Sequence, residues 1–210
     1  MEQPDAVLIV KQVRDKLKTE QQKRQEFYES INEKDKVEFI NGEVVYHSPV
    51  VKKHNVATGL LYKLMESYVS LKELGFVGIE KIMATFTRND YEPDVCFFNK
   101  EKAAHFSDDQ MHFPVPDLIV EVLSKSKKSL KRDRETKYED YEKHGVSEYW
   151  MIDPQEETVE QYLLKKGRYE LVLKSGEGTI TSRAVEGFAI PVRAMFDEKE
   201  NLAALREILK

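Results

Sequence analysis

Two acidic residues occupy apolar stretches in which an ionised carboxylate is costly. Glu121 is the one charged residue of the run Leu118–Leu123, a composition that predicts a strand covered on both faces. Removing its carboxylate from water costs several kcal/mol unless a cation or hydrogen-bond donors compensate, so a positive partner is expected beside it. Asp94 opens the apolar run 95–98 directly after Pro93, whose fixed backbone leads into a strand. Alternatives stay open for both residues: Glu121 points out of an edge strand or pairs with a structural arginine, and Asp94 closes a turn.

Lys137 supplies a candidate positive partner for these acids. On a helix with 100° per residue it lies between Leu130 and Tyr141, in an apolar stripe that Tyr138 completes, so its side chain is expected to point inward. A lysine whose stem follows the core while its ammonium reaches solvent is the alternative. Two carboxylates and one inward lysine offset one another's desolvation, and together they supply the groups that phosphodiester hydrolysis requires.

The chemistry that these residues predict is metal-dependent hydrolysis of a phosphodiester. Carboxylate oxygens from Asp94 and Glu121 suit a hard cation such as Mg²⁺ or Mn²⁺, which usually keeps several waters. The cation would lower the pKa of a bound water and polarise the phosphate, while Lys137 orients the nucleophile or stabilises the added negative charge. The sequence therefore predicts a metal site at Asp94 and Glu121 and a catalytic centre that adds Lys137, and it predicts no other cofactor site.

The composition excludes several classes of protein. Of the 210 residues, 40% are hydrophobic and 34% are charged, and no apolar run approaches the roughly 20 residues that would cross a bilayer. The first residues lack a basic region and a small-residue cleavage site, so no secretory signal is predicted and a cytoplasmic location is expected. The single cysteine, Cys96, excludes a disulfide within the chain.

The charge of the chain is unevenly distributed. A net charge of −5 and a pI near 5.7 argue against a protein that coats nucleic acid by bulk electrostatics. A local basic segment over positions 125–137 is nonetheless suited to follow a phosphate backbone. It contains Lys125, Lys127, Lys128, Lys131, Arg132, Arg134 and Lys137.

The N-terminal part of the chain predicts an extension followed by a hairpin. Residues 1–35 are polar with helical propensity, and they are expected to form a helical extension to a single domain over residues 36–210. Alternation of apolar and polar residues on either side of Asn41-Gly42 predicts a hairpin whose strands are Val37–Ile40 and Glu43–Tyr46.

The rest of the chain alternates predicted helices and strands. Apolar residues at three- and four-residue spacing predict a helix from His54 to Leu74, with Gly75 as its stop. The elements predicted after it are strands over Ile79–Thr87, Asp94–Phe98 and Leu118–Leu123, a helix over Ser129–His144, a strand from Glu148 to Pro154, a hairpin, a short strand and a C-terminal helix. This order predicts an α/β fold in which helices flank a mixed sheet.

Three segments carry a resemblance to a known family. YEPDVCFF, PDLIVEVLSKS and DRETKYEDYEKHGVSEYWMIDP resemble the Uma-two family of restriction endonucleases, which implies a restriction endonuclease-like fold and the PD-(D/E)XK type of nuclease. The resemblance implies that Pro93 and Asp94 form the proline–aspartate element and that Glu121 is the acidic member of the (D/E)XK element. Leu123 stands where that element has its lysine, so the resemblance implies that the lysine has moved to the following helix, as Lys137.

Three further residues are expected to support this centre. Glu38 matches an acidic position of the family pattern and ranks above Glu43, although both also fit solvent-facing strand positions. His54 begins a helix, where it contacts phosphate or a metal-bound water, or else lies at the surface as a cap. Asp133, one turn before Lys137, orients that lysine or forms a surface ion pair.

These expectations combine into a Mg²⁺-dependent endonuclease that acts on DNA. A homodimer is expected, because symmetric cleavage of two strands by a small single-site domain is easiest that way. The alternative from another class is a catalytically silent nuclease-like fold that binds DNA or a protein partner, since a fold does not prove turnover. Hydrolysis of RNA or of another phosphodiester is a third possibility, which the acidic composition keeps open.

Overall fold

Helices pack on two mixed sheets that share the core. The computed structural model describes residues 5–32 and 35–210 of the chain. The helices and helical turns are α1 (Ala6–Ser30), α2 (Lys52–Lys72), α3 (Lys100–Ala103), α4 (Lys127–Lys131), a π-helical turn (Arg132–Lys137), α5 (Tyr138–Lys143), a 3₁₀ turn (Val192–Met195) and α6 (Glu198–Ile208). Within this described part of the chain, no helix combines the length and the apolarity needed to cross a bilayer.

The strands form a larger sheet, a smaller sheet and a short ribbon. In chain order they are β1 (Val37–Ile40), β2 (Glu43–Tyr46), β3 (Gly75–Ile79), β4 (Met83–Thr85), β5 (Asp90–Tyr91), β6 (Val95–Asn99), β7 (His112–Phe113), β8 (Leu118–Val122), β9 (Glu148–Asp153), β10 (Thr158–Lys165), β11 (Arg168–Ser175), β12 (Thr179–Thr181) and β13 (Ala189–Pro191). The larger sheet has the order β11-β10-β9-β8-β6-β3, with β8 and β9 parallel and the other neighbours antiparallel. The smaller sheet has the order β2-β1-β5-β4-β7, and β12 pairs with β13. This mixed α/β architecture with flanking helices confirms the predicted fold class.

Strand β8 is covered on both faces, as its apolar composition predicts. Val120 packs in the core that the larger sheet shares with α2. Ile119 and Leu123 pack in the core on the other face, together with Tyr141 of α5. Because side chains alternate along a strand, Glu121 points to the same side as Ile119 and Leu123, toward α5.

Strand β6 brings Asp94 to that same face of the sheet. Cys96 packs in the core beside α5, whereas Val95 packs in the core beside α2. Asp94 therefore shares the face of Cys96 by alternation. The antiparallel register pairs Val95 with Val120, and one position further it sets Asp94 opposite Glu121. Residues directly opposite in such a pair have Cβ atoms about 4.5–5.5 Å apart, so the two carboxylates are neighbours.

The first hairpin has the predicted bounds and directs Glu38 into the protein. Asn41 and Gly42 have φ values of 53° and 84°, as a type I′ turn requires. Phe39 packs against Phe27 of α1 with ring centroids 5.5 Å apart. The alternation along β1 consequently turns Glu38 to the opposite side of the smaller sheet.

The predicted strand over Ile79–Thr87 is wrong in its bounds. The chain forms β3 from Gly75 to Ile79, turns, and forms β4 from Met83 to Thr85. Glu80 and Lys81 have positive φ values of 44° and 32°, which interrupt the extended backbone between the two strands. A turn made by residues without glycine or proline leaves no clear mark in the sequence.

The end of α2 also differs from the prediction. The helix stops at Lys72, and Glu73 rather than Gly75 takes the left-handed conformation that terminates it, with φ of 52°. Gly75 instead begins β3, where a Cβ atom would overlap the carbonyl oxygen of Phe98. The glycine serves a close approach of two strands rather than a helix stop.

Helix α1 is attached to the smaller sheet by its C-terminal part. Arg24 donates from Nε and Nη2 to the two carboxylate oxygens of Asp90, at 2.6 Å each. Residues 5–19, by contrast, are exposed along their whole length. The division into an extension over residues 1–35 and a domain over residues 36–210 remains a prediction, and positions 1–4 and 33–34 of that extension lie outside the described residues.

Candidate active site

Lys137 lies at the centre of a buried group of acids. Its side chain is only 2% exposed. Its Nζ lies 2.7 Å from Glu38 Oε1, 2.9 Å from Glu121 Oε1 and 3.8 Å from Asp133 Oδ1. Burial acts to lower the pKa of the ammonium, but Glu121, Glu38 and Asp133 outweigh it and raise that pKa well above its ordinary value. Lys137 therefore points inward and is held as a cation.

Glu121 is bound on one of its two oxygens. Its Oε1 accepts hydrogen bonds from Lys137 Nζ at 2.9 Å and from the Tyr141 hydroxyl at 2.8 Å. No residue of the described ranges donates to Oε2. Burial raises the pKa of Glu121; Lys137 opposes this effect, but neighbouring acids, Asp133 foremost, add to it, and the pKa stands at about 8. The structure thus leaves this carboxyl short of positive charge.

Asp94 is contacted from three different segments of the chain. Its Oδ2 accepts the backbone N–H of Val122 at 2.7 Å and lies 3.3 Å from His54 Nε2, while its Oδ1 lies 3.8 Å from Lys36 Nζ. Burial acts to raise the pKa of Asp94, but His54, the Val122 amide and Lys36 together lower it. Asp94 is consequently ionised and fixed in position.

Glu38 fixes the opposite side of Lys137. It is fully buried, and its Oε1 also accepts the backbone N–H of Glu92 at 3.1 Å. Its Oε2 lies 3.0 Å from His47 Nε2 and 3.4 Å from Arg132 Nη1. Burial acts to raise the pKa of Glu38, but Lys137 and His47 outweigh burial and hold the pKa at about 2.

The π-helical turn Arg132–Lys137 positions the lysine and Asp133. It lies between α4 and α5 in one continuous helical stretch, and both Asp133 and Lys137 are buried on its inner side. A π turn disturbs the regular backbone hydrogen bonds of a helix. The hydroxyl of Tyr149 donates to the backbone carbonyl of Asp133 at 3.1 Å, so a side chain supplies a donor inside this turn. Burial, ahead of the effect of nearby charges, raises the pKa of Asp133 to about 6.

A cleft of about 370 Å³ opens above these residues. Asp94, Glu121, Asp133 and Lys137 line it, and so does His54. The structure therefore brings every residue of the predicted centre and its support to one place, including Glu38, which contacts Lys137 from β1. Of the two acids at the first hairpin, Glu38 is the buried one, and Glu43 is exposed.

Several residues at the site were missed by reasoning from the sequence. Glu92 is buried beside Glu38, and burial together with the charge of Glu38 raises its pKa to about 7. His47 and Lys36 contact the acids from segments without a regular pattern. The role of Tyr141 as a donor to Glu121 could have been found, because Tyr141 follows Lys137 by four residues and so shares its helix face.

The donor set at the cleft floor fits a hard divalent cation. Asp94, directly before β6, and Glu121 of β8 take neighbouring positions by the strand register, and carboxylate oxygen is the donor that Mg²⁺ and Mn²⁺ prefer. Burial, and after it the neighbouring acids, raise the pKa of Glu121 in spite of Lys137, and an added cation would offset both effects. No group of three or more acid, histidine or cysteine side chains is arranged as metal ligands in the described ranges. Such a pair of carboxylates is nevertheless sufficient for Mg²⁺, which commonly keeps several waters.

The fold and the arrangement of these side chains define a class of protein. The mixed sheet with flanking helices is that of a restriction endonuclease-like domain. Its neighbouring strands carry the two acids, and the helix that covers them carries the lysine. The chain belongs to the Uma2 (Uma-two) family, described as "Putative restriction endonuclease", whose model matches residues 24–193.

A solved structure supports the fold. The crystal structure of "a putative nuclease belonging to DUF820" from Anabaena variabilis ATCC 29413 superposes with a TM-score of 0.68 at 19% sequence identity, covering 82% of this chain and 96% of that one. At this identity the likeness concerns the fold. A search of the curated proteins finds no match to the chain.

Proposed function

We propose that this protein is an endonuclease that hydrolyses phosphodiester bonds of DNA with the help of Mg²⁺ or Mn²⁺. The observation that carries the proposal is the buried ammonium of Lys137, held by Glu38 and Glu121 on the floor of an open cleft. A buried charge network of this kind is expensive to maintain, and active sites are where such arrangements are concentrated. Membership of the restriction endonuclease family gives the proposal its reaction class.

Asp94 and Glu121 are the residues that would hold the cation. When bound, the cation supplies an activated water and polarises the scissile phosphate. Asp94 is suited to this role because Val122 and His54 orient it while its other oxygen has only the more distant Lys36 nearby. Glu121 is suited because its Oε2 has no donor among the described residues.

Lys137 acts in this proposal as a hydrogen-bond donor and a fixed positive charge. Because the surrounding acids raise its pKa, the side chain stays protonated and is not a general base. Its ammonium is directed by Glu38, so it can orient the attacking water and stabilise the negative charge that develops on the phosphate. Glu38 is a positioning residue that acts through Lys137.

The decisive experiment is cleavage of plasmid and oligonucleotide DNA by purified protein with Mg²⁺, Mn²⁺ or a chelator. Asp94→Asn and Glu121→Gln should abolish both cleavage and the metal-induced rise in melting temperature. Glu43→Gln is a matched control, since Glu43 is an exposed acid on the same hairpin as Glu38. A wild type that stays inert with both metals, yet retards DNA in a gel, would make the silent DNA-binding fold the better account.

Three parts of the proposal are carried forward from the sequence. Assembly as a homodimer would bring two centres to the two strands of a duplex. A cytoplasmic location and a preference for DNA over RNA belong to the same proposal. Sedimentation of the purified protein tests the homodimer, and cleavage assays on DNA and RNA test the preference for DNA.

A further inference from the structure

Arg132 lies beside the proposed centre with most of its guanidinium unengaged. The residue belongs to the π-helical turn, lines the cleft, and has a side chain that is 18% exposed. Among the described residues its one ion-pair partner is Glu38, and the contact is long, with Nη1 3.4 Å from Oε2. Its buried Nε donates to no group of residues 5–32 and 35–210, and neither does Nη2. The edge of the guanidinium that carries Nε and Nη2 is therefore without an acceptor from the described chain.

The unpaired Nε of Arg132 is a donor at any physiological pH. A guanidinium stays protonated in proteins, and all of its N–H groups donate. His54, another cleft residue, also has a buried ring nitrogen without a partner, but an imidazole nitrogen is a donor in one tautomer and an acceptor in the other. A buried donor that is left unsatisfied is unfavourable, and it is uncommon in native proteins. For Arg132, the cleft offers the explanation of a ligand with acceptor oxygens.

The other arginine of the same turn is fully engaged, which sets Arg132 apart. Arg134 donates from Nη1 and Nη2 to the two oxygens of Glu160, at 2.9 and 3.0 Å, and it does not line the cleft. Nor does Glu38 depend on Arg132 for its charge, because Lys137 and His47 are the groups that outweigh burial and lower the pKa of that carboxyl. Arg132 is thus positioned near the centre without a strong ion pair of its own.

The open edge of Arg132 matches one phosphate group. Two parallel N–H donors of a guanidinium bind a phosphate in bidentate fashion, with geometric specificity that an ammonium lacks. The surroundings favour an anion, since the exposed Lys125 and Lys128 line the same cleft. Glu38 stands between Arg132 and Lys137, because the arginine lies at its Oε2 and the lysine at its Oε1. A phosphate on the open edge of Arg132 is therefore separate from the one that meets Lys137.

We infer that Arg132 binds a phosphate of the DNA next to the scissile one, through Nε and Nη2, and so determines which phosphodiester lies at Lys137. Arg132 is then a binding residue that positions the backbone, and it takes no part in the reaction itself. This inference rests on the proposed function, because it adds a contact to the DNA on which that nuclease centre acts.

The test is DNA binding without divalent metal, which separates recognition from catalysis. Fluorescence anisotropy measures the affinity for a labelled duplex oligonucleotide over a series of salt concentrations. Arg132→Met should weaken binding by roughly 10- to 100-fold, as loss of a hydrogen-bonded contact to a charged group does. It should also reduce the logarithmic salt slope by roughly 0.9, the effect of one phosphate contact on duplex DNA.

Arg132→Lys and Arg134→Lys form a matched pair that isolates the bidentate contact. Both changes keep the positive charge and remove the guanidinium from the same helical turn. Arg132→Lys should keep the salt slope but bind DNA at least roughly threefold more weakly, because an ammonium has no planar pair of donors. Arg134→Lys should bind like wild type, since its guanidinium is engaged with Glu160.

Stability separates a binding role from a structural one. Arg132→Lys should melt within roughly 4 °C of wild type, because it removes a donor that has no acceptor in the described chain. Binding is measured at a temperature at which circular dichroism shows each variant to be folded. In cleavage assays, the loss in Arg132→Lys should appear mainly in KM, whereas loss of Lys137 should appear in kcat.

The outcomes distinguish this inference from the proposed function. An Arg132→Lys variant that binds DNA like Arg134→Lys overturns the inference, even if the protein cuts DNA through Asp94 and Glu121. So does an Arg132→Lys loss that falls on kcat alone, since Arg132 would then act on the scissile phosphate. A protein that binds DNA through Arg132 but cuts none with either metal supports the phosphate contact and refutes the proposed function.

Discussion

Replacing Lys137 by methionine tests whether this buried ammonium neutralises the acids around it. Methionine has a similar length and fills a similar volume, so the change removes charge with little change in packing. Glu38, Glu121 and Asp133 then face one another without the cation that lies 2.7, 2.9 and 3.8 Å from them. We expect a large loss of stability in the metal-free protein.

The magnitude follows from the burial of the partners. Removing one member of a buried ion pair costs about 3–5 kcal/mol, because the remaining charge is left desolvated. For a domain of about 200 residues, each 1 kcal/mol lowers the melting temperature by roughly 2–4 °C. Lys137→Met should therefore melt roughly 6–20 °C below wild type. Adding Glu38→Gln should recover part of the loss, since it removes one of the unpaired carboxylates.

Urea denaturation with a chelator present measures this cost across a series of pH values. Without the ammonium, the acids of the folded variant have raised pKa values, and they take up protons as the pH falls. A carboxyl whose folded-state pKa is raised destabilises the fold increasingly as the pH rises toward that pKa. The difference between Lys137→Met and wild type should therefore be smallest at acid pH and grow toward neutral pH.

A surface lysine of the same helical stretch provides the control. Lys143 pairs with Glu139 at 3.2 Å, again four residues apart, but both side chains are about two-thirds exposed. Lys143→Met should cost less than about 0.5 kcal/mol. If Lys137→Met proved equally mild and independent of pH, the ammonium would not be engaged with the acids, and its role in the proposed centre would be refuted.

Three further predictions concern the scaffold. Gly75→Ala should destabilise the protein by more than about 2 kcal/mol, because its Cβ would overlap a carbonyl oxygen of β6. Gly59→Ala, in open space on α2, should stabilise the protein by roughly 0.5–1 kcal/mol. Urea denaturation of both variants measures the contrast. Arg24→Met should cost about 3 kcal/mol, since the fully buried Asp90 loses both hydrogen bonds from the guanidinium, and a loss below about 1 kcal/mol would show that α1 is not held there. Burial acts to raise the pKa of Glu160, but its arginine, tyrosine and lysine partners lower it from 4.5 to about 2. The stability advantage of wild type over Glu160→Gln should therefore be present above pH 4.5 and disappear as the pH falls toward 2. An advantage that persists at pH 2 would contradict this.

The centre could be predicted from the sequence where a charge interrupts an apolar pattern. Glu121 stands out in Leu118–Leu123 because a strand covered on both faces has no other charge, and Lys137 stands out because its helix face is otherwise apolar. The helical reasoning holds for Lys137 and Tyr141 because regular α5 begins directly after the lysine, so both reach Glu121 Oε1. The cost of buried charge is thus the signal that sequence makes visible.

The rest of the site depends on contacts between distant segments. Glu92 meets Glu38 across 54 positions of the chain, and His47 lies beyond the end of β2, where no periodicity applies. The turn at Glu80 was missed for a related reason, because neither Glu80 nor Lys81 is a residue type that favours the positive φ found there. Tertiary pairing decides these features, and a single sequence does not display it.

The π-helical turn Arg132–Lys137 has a consequence for how relatives of this chain are compared. Such a turn corresponds to one residue inserted into an otherwise regular helix. A relative whose helix is regular throughout would align here with a one-residue gap, and the placement of that gap decides which side chain is matched to Lys137. A search pattern that counts forward from Glu121 to the lysine would miss that relative by one position. Counting back four residues from Tyr141 crosses no inserted residue, so the tyrosine is the safer reference point for locating the lysine.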